Sequence, residues 1–253
     1  MKKIIIIILS FLMLIFICFI AYITIANKSK VAILGYHSIM PHKINTSGDM
    51  LVVDQEKFEK ELQLLDKLGY KTLTLDEYYC WKNKTCKIKG KKVLITFDDG
   101  YYNNYDYAYS LLKKYHMNAT VFIVGEYALA NDTIHMNMET INKIYEEYPN
   151  VEVASHTYAM HYHSEKKYDE VMDDAAKMKE LIPSQYFAYP FGDNTDEYIK
   201  ALKDSGYKMA FTFGPGREHR KSDMKDDNYL VPRLNISNDM PMWKFILRLI
   251  LPM

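Results

Sequence analysis

Short apolar runs separated by amphipathic stretches narrow the folds open to this chain more than any other feature. Residues 31–36, 71–75, 92–97, 119–124, 151–155, 186–189 and 209–213 each read as a strand. Runs such as Val93-Leu94-Ile95 lack in–out alternation, as expected of strands covered on both faces. Helical stretches lie between them. In residues 54–68, Phe58, Leu62, Leu65 and Leu68 form one apolar stripe, with Asp54 placed to cap it and Gly69 to end it. Residues 76–81 (Asp76 as cap), 105–115, 139–148, 168–181 and 196–205 are the other helices. A last extended segment at 229–233 and an apolar helix at 243–251 complete the chain. This alternation is the signature of a parallel sheet. Roughly seven repeats predict an α/β fold: a distorted (β/α) barrel of about seven strands, in one domain spanning residues 31–253.

Residues 1–30 are a different material. After Lys2 and Lys3, residues 4–25 are apolar except for Ser10, Tyr22 and Thr24. That is long enough for a membrane-spanning helix of about 20 residues. A cleaved secretory signal has a shorter apolar core and a small-x-small site, which Thr24-Ile25-Ala26 matches poorly. Phe16 and Ile17 stand where a lipidated Cys18 would need small residues. We therefore expect an uncleaved single-pass anchor at the cell membrane with an extracellular domain behind it. In that compartment Cys80 and Cys86 are expected to pair as a disulfide. The net charge is +0, so no nucleic-acid partner is expected.

The chemistry gathers at strand ends. Residues 92–97 run into Asp98-Asp99-Gly100, two short carboxylates and a glycine that permits a turn. In barrels of this type the C-terminal strand ends carry catalytic groups. Alone, the triplet is an ordinary Asp-rich turn. A second strand, however, ends at His156, with His161 five residues on. Residues five apart on a helix point about 140° away from each other, so a helical two-His site is ruled out. An irregular loop can still bring both rings to one ion. One Asp and two His make a three-ligand set that leaves a position open on Zn²⁺. His163 reads as a solvated loop residue.

These stretches are recognisable. Thr96-Phe97-Asp98-Asp99-Gly100, Ser155-His156-Thr157 with His161, and Ala188-Tyr189-Pro190-Phe191-Gly192 resemble three motifs of the polysaccharide deacetylases. This is the NodB-homology superfamily, or carbohydrate esterase family four. The likeness covers roughly residues 31–237. The His spacing, Gly35-Tyr36-His37, residues 187–190 and Val231-Pro232-Arg233 are similar to the branch acting on poly-β-1,6-N-acetylglucosamine, a biofilm exopolysaccharide. The resemblance implies Asp99, His156 and His161 as ligands of a divalent metal, most simply Zn²⁺. It implies Asp98 as general base and a backbone N–H near Phe191, within Tyr189-Pro190-Phe191, as oxyanion donor. Two departures from the family pattern stand out. There is no late Leu-x-His, and His37 is the candidate general acid in its place. The third motif begins with Ala188 where Arg is usual, and Arg233 is the candidate replacement.

The expected reaction is metal-dependent N-deacetylation of a surface polysaccharide containing N-acetylglucosamine, with release of acetate. Two alternatives remain: the same reaction on peptidoglycan, and a catalytically weak or inactive glycan-binding module on the same fold. A glycosidase reading is poorer, because it leaves both histidines without a role.

Overall fold

The computed structural model describes residues 2–46, 48–130, 132–163, 165–214 and 219–252. The chain opens with helix α1 (Lys2–Ala26), 25 residues with no buried side chain. At 1.5 Å per residue it is about 37 Å long, more than the roughly 30 Å of a bilayer's hydrocarbon core. Strand β1 (Lys30–Tyr36) follows, then β2 (Ser38–Met40), β3 (Val52–Asp54), α2 (Gln55–Lys67), β4 (Tyr70–Thr72) and α3 (Leu75–Lys82). The central strand β5 (Lys91–Phe97) leads to α4 (Tyr102–Tyr107), α5 (Tyr109–Lys114), β6 (Ala119–Val124), α6 (Gly125–Ala130) and α7 (Met138–Glu147). Then come β7 (Val151–Thr157), α8 (Tyr168–Leu181), β8 (Tyr186–Ala188), α9 (Asp196–Asp204) and β9 (Met209–Thr212). The chain ends with β10 (Ser222–Asp223), β11 (Val231–Pro232), β12 (Leu234–Asn235) and α10 (Met242–Ile250).

The main sheet runs in the order β10-β1-β5-β6-β7-β8-β9-β11, with β12 added to β1 and β4 added to β5. All pairings are parallel except β10 on β1. The segment from β11 to β12 nearly closes the barrel. Val231 and Pro232 pair with Phe211 and Thr212 of β9, while Leu234 and Asn235 pair with Leu34 and Gly35 of β1. Arg233 is the residue between the two pairings. Parallel strands place all their C-terminal ends at one pole, and that pole carries the chemistry.

Two buried layers hold the strands. Val31, Ile33, Leu94, Phe122, Ala188 and Phe211 form one cluster, and Ala32, Leu34, Tyr36, Val93, Ile95 and Phe97 belong to another with α2 and α5. Adjacent residues of β1 and β5 thus feed opposite faces, and both faces are apolar, which is why the strands show no polar alternation. Gly35 is required by closeness: a Cβ there would lie 2.2 Å from the Phe213 ring.

Local chemistry moved several boundaries. Strand 71–75 stops at Thr72, because Thr74 rather than Asp76 caps α3. Its hydroxyl accepts from Glu77 N at 3.1 Å and Glu77 returns a bond to Thr74 N at 3.2 Å, a reciprocal capping box. Asp54 stands at the N-cap of α2 but makes no cap bond, being held by His42 and Asn45. The helix read at 105–115 is two helices, separated at Ala108. The short strands β2, β3, β10 and β12 carry too few residues to show a period. Cys80 and Cys86 form the expected disulfide.

Candidate metal centre

Strand β5 ends at Phe97, and the backbone of Asp98 continues the pairing by donating to Tyr36 O at 3.0 Å. Asp99 then turns into the left-handed region with φ 68°, and Gly100 follows with φ 76°. Two successive left-handed residues break the strand's alternation, so adjacent carboxylates both reach the pole. Asp tolerates that region better than most residues, at a cost on the order of 1 kcal/mol or more. Gly100 has no such latitude, since a Cβ would also meet Ile123 at 2.7 Å.

His156 lies within β7, and His161 lies in the loop after it. Asp174 of α8 holds that loop: its carboxylate accepts from Thr157 Oγ1 at 2.7 Å, Tyr158 N at 2.9 Å and Ala159 N at 2.7 Å. Asp99 Oδ1 stands 3.3 Å from His156 Nε2 and 3.0 Å from His161 Nε2. One ligand atom from each of the three residues falls within 4.8 Å of the others. His156 Nδ1 sits 2.6 Å from Ala188 O, and a carbonyl only accepts, so Nδ1 carries the proton. In the neutral ring Nε2 is then a lone pair facing a carboxylate. A cation between these acceptors satisfies all three, and the residues present fit a divalent metal. The electrostatics agree. Burial alone raises the Asp99 carboxyl, but hydrogen bonds with His156 and His161 hold it far below the usual carboxylate range. Burial lowers His156, yet Asp99 and Asp98 together leave its pKa raised. The pocket favours positive charge.

Arg233, fully buried, reaches Asp98 from the closing segment. Nη1 donates to Oδ1 and Nη2 to Oδ2, each at 2.6 Å. Its guanidinium stacks on Phe213, Cζ lying 4.0 Å from the ring centroid. Burial pushes the Asp98 carboxyl up, but Arg233 and then His156 outweigh it, and the pKa is lowered. The guanidinium beside Asp98 thus comes from the segment that closes the barrel.

His37 follows β1, partly buried, with its ring stacked 6.0 Å from Phe213. Its backbone carbonyl accepts from Asn104 Nδ2 at 2.7 Å. Its Nδ1 is buried with no hydrogen-bond partner. Burial lowers its pKa against the opposing pull of Asp98 and Asp99. Pro190 is buried, whereas Phe191 is 64% exposed at φ 55°, its ring 4.9 Å from that of His161. Tyr189 is different: its ring packs in the core against Tyr198 and Phe187, so only its backbone is near the motif.

Three neighbours went unread in the sequence. Asp174 carries no motif. Tyr127 of α6 places its hydroxyl 3.3 Å from His161 Nδ1, but α6 itself was not expected. Exposed Tyr162, its ring 4.7 Å from His161 and 5.7 Å from Phe191, forms an aromatic wall beside the ligands.

Comparison with known proteins fits this geometry. Residues 86–210 match the sequence profile of the family described as polysaccharide deacetylase. The chain is similar to YxkH of Bacillus subtilis (strain 168), whose name refers to the same family, at 32% identity over 87% of this chain and 76% of that protein. It is 30% identical to the poly-beta-1,6-N-acetyl-D-glucosamine N-deacetylase of Staphylococcus epidermidis, over 74% of this chain and 68% of the relative. In fold it resembles the Streptococcus pyogenes deacetylase PplD, solved in complex with acetate (TM-score 0.75, 21% identity, 87% of this chain, 98% of that one). It also resembles IcaB from Ammonifex degensii (TM-score 0.71, 23% identity, 87% and 96%).

Proposed function

Because this chain belongs to the polysaccharide deacetylase family and is a hydrolase of amide bonds, we propose that it removes acetyl groups from N-acetylglucosamine units of a surface polysaccharide, with poly-β-1,6-N-acetylglucosamine as the substrate. The observation that carries this reading is the three-ligand cluster with a second, Arg-held carboxylate beside it. The named substrate of the S. epidermidis relative supports the choice of glycan.

Asp99, His156 and His161 would hold the metal, and an N₂O donor set with room for water suits Zn²⁺. When bound, such a cation polarises an amide carbonyl and makes a neighbouring water more acidic. Asp98 takes the proton from the attacking water. Arg233 occupies one lone pair on each of its oxygens, and a carboxylate has about four acceptor sites, so the base stays available while its orientation is fixed. The left-handed Phe191 offers its backbone N–H toward the developing oxyanion. His37 delivers a proton to the leaving amine. Tyr162 and Phe191 give a sugar ring an apolar face to rest on. The buried Arg233–Asp98 pair argues against an inactive glycan-binding relic, which has no use for so costly an arrangement.

The helix α1 serves as an uncleaved anchor, with the catalytic domain outside the membrane. Its unbroken apolar run and lack of buried residues support this, as does a disulfide suited to an oxidising compartment. The test is acetate release by the metal-loaded chain from poly-N-acetylglucosamine and peptidoglycan side by side. Release from the first alone is expected. Release from peptidoglycan alone would move the assignment to the cell wall, and release from neither would return it to a binding module.

A further inference from the structure

The pole opposite the metal centre contains a cavity of about 580 Å³ that the deacetylase chemistry does not use. One wall is the last turns of α1, with Ile20 and Ile23, and Asn27 just beyond it; another is the end of α10, with Leu249 and Ile250. The two helices are tied together. Asn27 Nδ2 donates to Ile250 O at 2.8 Å, and Lys221 Nζ donates to both Asn27 Oδ1 and Leu249 O at 2.6 Å.

Five lysines line this cavity, Lys28, Lys30, Lys91, Lys92 and Lys221, and no acid does. The ammonium groups of Lys30, Lys91 and Lys92 donate to backbone carbonyls of Pro252, Leu68 and Gly90. Among the described residues, none of the five is ion-paired with a carboxylate. Asp223, which faces Lys30 across β1 and β10, is engaged by Ser29 Oγ at 2.9 Å. In a chain of net charge +0, this is a concentrated cationic site. Burial and the charge of Lys30 push the Lys221 ammonium down to about 8, and an anion in the cavity opposes that shift by its charge.

The apolar side of the cavity is continuous with the exposed surface of α1. Next to it α10 turns its polar contacts inward, through Arg248 to Asn235 O at 2.8 Å, and leaves Trp243, Leu247 and Ile250 facing out. An amphipathic helix with Trp outward, beside a spanning helix, belongs at the headgroup level. A cationic floor with an apolar mouth open toward acyl chains fits one kind of molecule.

We propose that this cavity binds an anionic phospholipid of the bilayer that α1 spans, its phosphate on the lysine floor and an acyl chain along Ile20 and Ile23. This rests on the reading of α1 as an anchor.

The test uses the full chain in nanodiscs containing phosphatidylcholine and phosphatidylglycerol, released into a native mass spectrometer. Phosphatidylglycerol adducts are expected to exceed phosphatidylcholine adducts severalfold. Lys91→Gln with Lys92→Gln should abolish that preference, with acetate release and membrane retention unchanged. Equal adducts in the parent chain, or an undiminished preference in the double variant, would overturn the lipid site while leaving the anchor standing. A chain extracted from vesicles by alkaline carbonate would remove the anchor reading and the lipid site with it.

Discussion

At the scale of single residues, the site depends on Asp98 and Asp99 doing different work from adjacent positions. The left-handed turn at Asp99 separates them: one faces two imidazoles, the other a guanidinium. Asp98→Asn should therefore keep its metal and lose turnover, read as metal content against acetate release. Arg233→Gln leaves a buried carboxylate without its partner. It should cost about 3–5 kcal/mol of stability and lower kcat, measured by thermal unfolding and steady-state kinetics. Wild-type stability in that variant would contradict the fully desolvated pair described here. Asp98, Asp99, His156 and His161 were legible in the sequence because their spacing is local and their residue types are specific. Arg233 was legible only as a candidate, since nothing in Val231-Pro232-Arg233 says which carboxylate it will meet. Tyr127 and Asp174 were not legible at all. They act from separate helices, and a single Tyr or Asp on a helix has no signature of its own.

At the scale of elements, β1 and α2 share a buried proton site. Glu61 of α2 has no exposed surface, accepts from Tyr36 Oη at 2.9 Å and lies 3.8 Å from Lys57 Nζ. Burial, against the pull of Lys57, raises its pKa from 4.5 to about 7. The folded protein thus keeps a proton that the unfolded chain gives up. Stability is fully present below about pH 4.5 and is lost as pH rises toward 7, by about 3 kcal/mol in all. Glu61→Gln should flatten this slope and raise the melting temperature near pH 8 more than near pH 5. An identical slope in the variant would mean that Glu61 is ionised in the folded state. The disulfide acts on α3 in another way. With a sequence separation of 6, it closes a small loop, and its removal by Cys80→Ser with Cys86→Ser should cost about 2 kcal/mol without changing acetate release. β6 was legible end to end from its unbroken apolar run and α8 from its amphipathic pattern. β11 fell within the extended segment expected at 229–233, but β10 and β12 were not legible, because their two residues each are defined by their partners in the barrel.

At the scale of the whole molecule, the parallel sheet puts the Asp99–His156–His161 cluster and the lysine-lined cavity at opposite poles. Lys30 and Lys91 open β1 and β5 beside α1, whereas His37 and Asp98 follow the far ends of the same strands. Seven residues of strand separate them by roughly 20 Å. On the proposed reading of α1 as an anchor, the metal centre faces away from the bilayer. Deleting residues 1–26 should release the protein from the membrane fraction with deacetylation of soluble oligosaccharides retained. The alternation of strands and helices made the barrel legible, but its closure was not. That depends on one short segment pairing first with β9 and then with β1.

The most direct measurement is the metal content of the purified full chain and of its Asp99→Ala, His156→Ala and Asp98→Asn variants, taken together with acetate release from poly-N-acetylglucosamine. The expected result is one divalent metal per chain in the parent and in Asp98→Asn, little in the other two, and acetate release from the parent alone. Metal-free Asp99→Ala or His156→Ala protein that still releases acetate at the parental rate would contradict the account.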